Sequence, residues 1–240
     1  MNPFFLYQLR TTDPEGARAF YAAVFGNADA DVFPLHEQAI ARGARPHWLG
    51  FIQVNDIDGA ASAFIARGAV QLGPKWNRDG LEGTVLRDPG GAVVALGSPP
   101  ATSATPSVPA SVFRAGIGWH LLHTAAVERA KVDYRDLFGW DFKAPIETAN
   151  HGVFHPFAWS AGGPVVGAMA DVAARPGVHP HWLFAFRVSS SVESALAAGR
   201  SKASCVQEPI ALSNAALADG NGLAVCDDPQ GAAFALIDRR

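Results

Sequence analysis

Three histidines in this chain occupy strand-like runs that could bring them to one place. In Trp119-His120-Leu121-Leu122-His123-Thr124, strand alternation puts Trp119, Leu121 and His123 on one face and His120, Leu122 and Thr124 on the other. His181 heads the run His181-Trp182-Leu183 and shares the face of Leu183. His155 shares a face with Phe157 and Trp159, and the sequence leaves open which face that is. Imidazole titrates near neutrality, donates or accepts a proton and ligates metals. Convergence of His123, His155 and His181 would therefore make a metal or acid–base site, with His123 and His155 as the candidate catalytic groups. The simpler role of each, taken singly, is that of a hydrogen-bonded core or rim histidine. Trp119, Leu121, Trp159 and Met169 add apolar and aromatic surface, so the candidate ligand-binding set is Trp119, Leu121, His123, His155, Trp159, Met169 and His181. No Ser-His-Asp order is evident, and the Gly-Gly pairs at 90–91 and 162–163 lack the Lys-Ser/Thr tail of a phosphate-cradling loop.

The elements that must position these residues come in two copies. Pro46-His47-Trp48-Leu49 matches Pro180-His181-Trp182-Leu183, Phe20-Tyr21 through Gly26 matches Asp133-Tyr134 through Gly139, and Asp88-Pro89-Gly90-Gly91-Ala92 matches Asp228-Pro229-Gln230-Gly231-Ala232. Three blocks in one order imply a duplicated domain. The helix blocks are offset by 113 positions and the His-Trp blocks by 134, so the second copy carries 21 extra residues between them. A hairpin of Phe154–Trp159, a turn at 160–163 and a strand over 164–169 would account for them, with the corresponding strand deleted from the first copy. His47 and His181 recur in both copies, which makes them a structural feature of a strand entrance.

Each copy reads as strand, helix, strands, repeated once. Phe4–Arg10 alternates as a strand; Asp13 caps a helix that has Pro14 in its first turn, presents Ala17, Phe20, Tyr21 and Val24 on one face and stops at Gly26. The counterpart carries Val127, Ala130, Tyr134 and Leu137 and stops at Gly139. Strands at 48–54 and 182–188 open the later halves, followed by helices at 57–67 and 191–199. The fold class is α+β: two tandem domains, 1–97 and 113–240, each of paired βαβββ modules forming a curved, half-open mixed sheet, the first domain truncated. A Pro/Ser/Thr-rich linker covers 98–112.

Bulk composition narrows the classes of function. At 240 residues, 49% hydrophobic and 17% charged, with a net charge of −3 and no basic cluster, the chain lacks the electrostatic footprint of a nucleic-acid binder. No run approaches the roughly 18 apolar residues of a spanning helix, and Met1-Asn2-Pro3-Phe4 does not read as a signal peptide, so a cytoplasmic protein without membrane partners is expected. Cys205 and Cys226 lie in strand-like segments that could be neighbours, and are expected as reduced core residues.

The blocks Thr12-Asp13-Pro14 through Gly26, Tyr134 through Trp140, and the two Asp-Pro turns at 88–91 and 228–231 resemble the vicinal oxygen chelate superfamily, which groups glyoxalase, bleomycin-resistance proteins and extradiol dioxygenases; the tandem two-domain bacterial members are the nearest in plan. The resemblance implies metal ligands seven residues before the helix-opening Asp and seven after the Asp of the Asp-Pro turn. Those positions and their counterparts hold Leu6, Leu49, Ala95, Trp119, Leu183 and Ala235, none of which ligates a metal. The expectation is thus a protein with no metal and no cofactor that binds a small apolar or aromatic molecule in a cleft of the second domain, as a monomer or homodimer, with no enzymatic activity assigned. The alternatives are a metal-dependent lyase or dioxygenase using His123, His155 and His181, and a structural or interaction protein whose cups are filled by its own side chains.

Overall fold

Helix and strand starts follow local chemistry in the computed structural model, which describes residues 2–25, 31–78, 80–99, 116–148, 152–171, 177–188, 197, 204–205 and 223–238. Strand β1 (Phe4–Thr11) leads into α1 (Pro14–Phe25), whose first turn is capped by Asp13: its Oδ1 accepts from Gly16 N at 2.9 Å. Ala17, Phe20, Tyr21 and Val24 form its buried face, as their spacing predicts. Next come β2 (Val32–Pro34), the short α2 (Glu37–Ala41), β3 (His47–Gln53) and α3 (Ile57–Ala66), the last capped by Asp56. Strands β4 (Val70–Gln71), β5 (Trp76–Arg78), β6 (Leu81–Arg87) and β7 (Val93–Ser98) complete the first half.

The second half opens with β8 (Ile117–Thr124) and α4 (Val127–Phe138), which ends at Gly139 in the left-handed region, φ 74°. Strands β9 (Asp141–Phe142), β10 (Ile146–Thr148), β11 (Gly152–Ala158) and β12 (Gly167–Asp171) follow, then β13 (His181–Val188), β14 (Ser204–Cys205), β15 (Ala224–Asp227) and β16 (Ala233–Asp238). The helix expected at 191–199 and most of the linker lie outside the described residues.

The described strands form two mixed sheets. One has seven strands in the order β2-β1-β3-β7-β6-β4, with β5 on β6; the other has nine, β10-β11-β12-β8-β13-β16-β15-β14, with β9 on β11. The second sheet has the larger number of described strands, and the turn between β11 and β12 is closed by Gly163 N donating to Ser160 O at 3.1 Å. One expectation is corrected: the strand beside β1 is not deleted. Three residues of β2 run parallel to β1, with Leu9 opposite Val32, as β12 runs parallel to β8. Among the described residues the first sheet lacks counterparts of β9, β10 and β11. Cys205 and Cys226 are indeed neighbours, opposite one another on β14 and β15.

By proximity the chain groups into two compact units: one of Met1–Leu6, Gly50–Ser107 and His120–Trp182, the other of Tyr7–Leu49, Val108–Trp119 and Leu183–Arg240. Each unit takes a piece of both sequence copies, and each is pinned by the same buried chain of hydrogen bonds. In the first unit Trp182 Nε1 donates to Tyr134 Oη at 3.3 Å, and Tyr134 Oη donates to Asp88 Oδ2 at 3.0 Å. In the second, Trp48 Nε1 donates to Tyr21 Oη at 3.0 Å, which donates to Asp228 Oδ2 at 3.1 Å. The other carboxylate oxygen closes its own turn, Asp88 Oδ1 accepting from Ala92 N and Asp228 Oδ1 from Ala232 N, both at 2.8 Å. The three repeated sequence blocks are these two Trp-Tyr-Asp chains. In the first unit, Arg67 of α3 also binds Asp133 at 3.0 Å and Asp136 at 3.2 Å on α4.

Candidate functional site

Ladder registers decide which candidate residues can meet. Residues opposed across a ladder share a face. On β12, Ala168 lies opposite Leu121 and Ala170 opposite His123 of β8. On β11, Pro156 lies opposite Ala168 and Phe154 opposite Ala170. Leu121, His123, Phe154, Pro156, Ala168 and Ala170 therefore share one face of the first unit. His181 joins them, its ring stacked on that of His123 with centroids 4.8 Å apart. This face is apolar and buried, with the histidine pair at one end.

The opposite face carries His120, Leu122, His155, Phe157, Gly167 and Met169. It is the face beneath α4. Tyr134 of that helix packs on Trp140 at 4.9 Å, Trp140 stacks on Phe157 at 4.7 Å, and His155 Nδ1 lies 3.9 Å from Glu128 Oε1. Trp159 belongs here too, 5.4 Å from Phe157 and 4.9 Å from His120.

The structure thus divides the sequence-derived set. Leu121, His123 and His181 come together in the first unit, whereas Trp119 belongs to the second unit. His155, Trp159 and Met169 lie on the helix side. The three-histidine constellation is corrected accordingly: His155 is separated from His123 by the thickness of the sheet, because the antiparallel register of β11 on β12 puts odd-numbered residues of β11 with Leu122 rather than His123. Among the described residues no cluster of three His, Cys, Asp or Glu side chains is placed to hold a metal.

Burial sets the protonation of His181. The His181 ring is pushed down to about 4, chiefly by desolvation of its charged form, so it is neutral at pH 7. Its Nδ1 sits 2.8 Å from His179 O, an atom that only accepts. The proton is therefore on Nδ1, and Nε2 is the acceptor nitrogen. His120, across the sheet, is also pushed to about 4 by burial and bonds Val166 O through Nδ1 at 2.9 Å; stacked against Phe4, it is a core histidine. His47 repeats the local bond of His181, Nδ1 lying 2.7 Å from Arg45 O, which agrees with a strand-entrance role.

Sequence reasoning did not identify the titrating carboxyl of the first unit. Asp88 is pushed up to about 6 by burial, a rise that bonds from Ala92 and Tyr134 only partly offset, and desolvation raises Tyr134 well above the usual phenol range. The available signal was the triple repeat itself, since all six members of the two Trp-Tyr-Asp chains lie in matched blocks.

In fold the chain is similar to BphC, a halotolerant catechol dioxygenase, at 14% identity and a TM-score of 0.61 over 98% of this chain and 86% of that one. It is similar to a variant of homoprotocatechuate 2,3-dioxygenase from Brevibacterium fuscum at 12% identity and a TM-score of 0.65, covering 98% of this chain and 71% of that one. The 2,3-dioxygenase LapB from Pseudomonas sp. KL28 matches at 13% identity and 0.59, over 97% and 90%. No family model and no curated protein matches the sequence. The likeness is one of fold: two mixed sheets with helices, as in these extradiol dioxygenases. No helix among the described residues is long and apolar enough to cross a membrane.

The residues at the positions where that fold implies a metal do not fit one. Leu6, Leu49, Ala95, Trp119, Leu183 and Ala235 are all at most 2% exposed. Five are hydrocarbon, and an indole nitrogen donates a hydrogen bond without offering a lone pair.

Proposed function

We propose that this chain binds a small apolar or aromatic molecule on the face of its second sheet turned away from α4, without a metal ion. The observation that supports it is the composition of that face: Leu121, Phe154, Pro156, Ala168 and Ala170 offer no charge, and the stacked His123–His181 pair supplies one polar end. Apolar walls with a few polar anchors are what a small-molecule site needs. The neutral His181 ring, with Nε2 as acceptor, suits a hydroxyl donor on the ligand. Catechol ring opening of the kind catalysed by the structural neighbours is not assigned, because the donor set for a metal is missing.

A second reading has its own support. Leu121, Phe154, Ala168 and Ala170 are buried, as a face filled by the protein's own side chains would be. Native mass spectrometry and elemental analysis of the purified protein separate the readings. Binding predicts a co-purifying organic molecule and substoichiometric metal. A bare chain that takes up no fragment favours the filled face, and roughly one tightly held transition-metal ion per chain, lost in His123→Ala, overturns the metal-free proposal.

A further inference from the structure

The residues on either side of His181 are both held by one buried acid. Trp182 donates its indole N–H to Tyr134 Oη at 3.3 Å, and Tyr134 Oη donates to Asp88 Oδ2 at 3.0 Å. Pro180 packs on the turn that the other oxygen of Asp88 closes: a carbon added at Gly91 would lie 3.1 Å from the Pro180 ring. The neighbouring Gly90 sits so close to Thr124, the residue after His123, that a side chain there would overlap Thr124 Oγ1. All of these residues belong to the first unit, so the Asp88 turn bears on the end of β8 and the entrance of β13, where the stacked His123–His181 pair stands.

The duplicated sequence supplies a comparison. In the second unit Trp48, Tyr21 and Asp228 make the same chain of hydrogen bonds. There, however, a carbon added at Gly231 meets nothing within 4 Å, and Gln230, which replaces Gly90, reaches Asp13 at 3.5 Å. The chain is therefore the part common to both units. The contacts of Gly90 and Gly91 are the addition found beside the histidine pair.

We infer that Asp88 is the positioning residue of the His123–His181 pair, and that gain or loss of its proton moves the His181 ring. An ionised Asp88 only accepts, so Tyr134 gives it the phenol hydrogen bond and keeps its own lone pairs for Trp182. A protonated Asp88 can donate to Tyr134 Oη, where it competes with the Trp182 N–H, and the strand entrance shifts with the indole. Burial places this exchange near pH 6, well above the step of the His181 ring itself near 4. Around Asp88 stand the histidine pair, Tyr134, whose phenol is raised well above its usual range, and behind it Asp133, paired with Arg67 and Arg129. The inference rests on the proposed function in taking the pair as the polar end of a binding face; its test uses no ligand, so the two can fail separately.

The test is a pH titration of the full chain, labelled with ¹³C and ¹⁵N and followed by NMR between about pH 4.5 and 8. The Asp88 Cγ signal gives the midpoint of the carboxyl. The His181 Cε1–H signal, assigned sequentially and by its loss in His181→Gln, should show a step at that same midpoint. In Asp88→Asn, which keeps an acceptor oxygen and cannot titrate, the step should vanish. In Asp228→Asn, which removes the matching carboxyl of the second unit, it should remain. A His181 signal indifferent to the Asp88 titration, an Asp88 carboxyl that does not titrate in this range, or a step that survives in Asp88→Asn overturns the inference. Should Asp88→Asn not fold, the wild type decides by itself: a His181 step displaced from the Asp88 midpoint by more than about half a pH unit overturns it.

Discussion

Replacing Asp88 by asparagine should flatten the pH dependence of stability in one direction. The carboxyl is 4% exposed and pushed from 3.8 to about 6 by burial, despite bonds from Ala92 N and Tyr134 Oη. A folded value above the unfolded one means that the folded state favours the protonated acid. The stabilisation it gives is present below about pH 4 and is lost as pH rises through 6. A displacement of about two pH units at about 1.4 kcal/mol each gives ~3 kcal/mol at full ionisation. His120 and His181, both pushed down to about 4, act oppositely, their stabilisation falling as pH drops below about 6.5. They are common to both proteins and cancel in the difference. Urea denaturation from pH 4 to 7.5 measures it: wild-type stability minus that of Asp88→Asn should fall by about 2.5 kcal/mol across the range, most of it between pH 4 and 6. Parallel curves would refute the assignment of a raised carboxyl to Asp88.

Tyr134→Phe removes the donor to Asp88 and the acceptor of Trp182 Nε1, so it should cost about 2–4 kcal/mol, on the order of 5–12 °C in melting temperature; Tyr21→Phe should match it because its bonds to Asp228 and Trp48 are the same. With acetophenone as probe in saturation-transfer NMR, His123→Ala should weaken binding about tenfold, while His155→Ala, on the helix face, and Leu6→Ala and Gln8→Ala, in the other sheet, should stay within about twofold; equal losses would remove the face assignment. Gly139→Ala should lower thermal stability by about 1 kcal/mol, since the helix-ending φ of 74° is strained for a side chain although nothing lies within 4 Å of the added carbon; an unchanged melting temperature would show that the backbone relaxes.

Much of the fold was legible because the deciding interactions are short in sequence. Asp13, three residues before Gly16, caps α1; Gly139 must end α4; the Asp-Pro turns at 88 and 228 close on their own backbone four residues on. Period-2 alternation likewise grouped Leu121 with His123 within β8, and the duplication announced two similar sheets. The absence of metal donors at Leu6, Leu49, Ala95, Trp119, Leu183 and Ala235 follows from side-chain chemistry, so it was legible through the resemblance alone.

Tertiary structure decided what depends on pairing between distant segments. Alternation fixes which residues of β11 share a face, and only its register on β12 decides which face of the sheet that is; a slip of one residue would have put His155 beside His123. The partners of Tyr21 and Tyr134 stand 207 and 46 positions away, at Asp228 and Asp88, and no local pattern pairs them. The raised Asp88 carboxyl and the lowered His181 ring have the same origin. Each is a matter of how completely water is removed and what replaces it, and that is set by segments the local sequence does not contain.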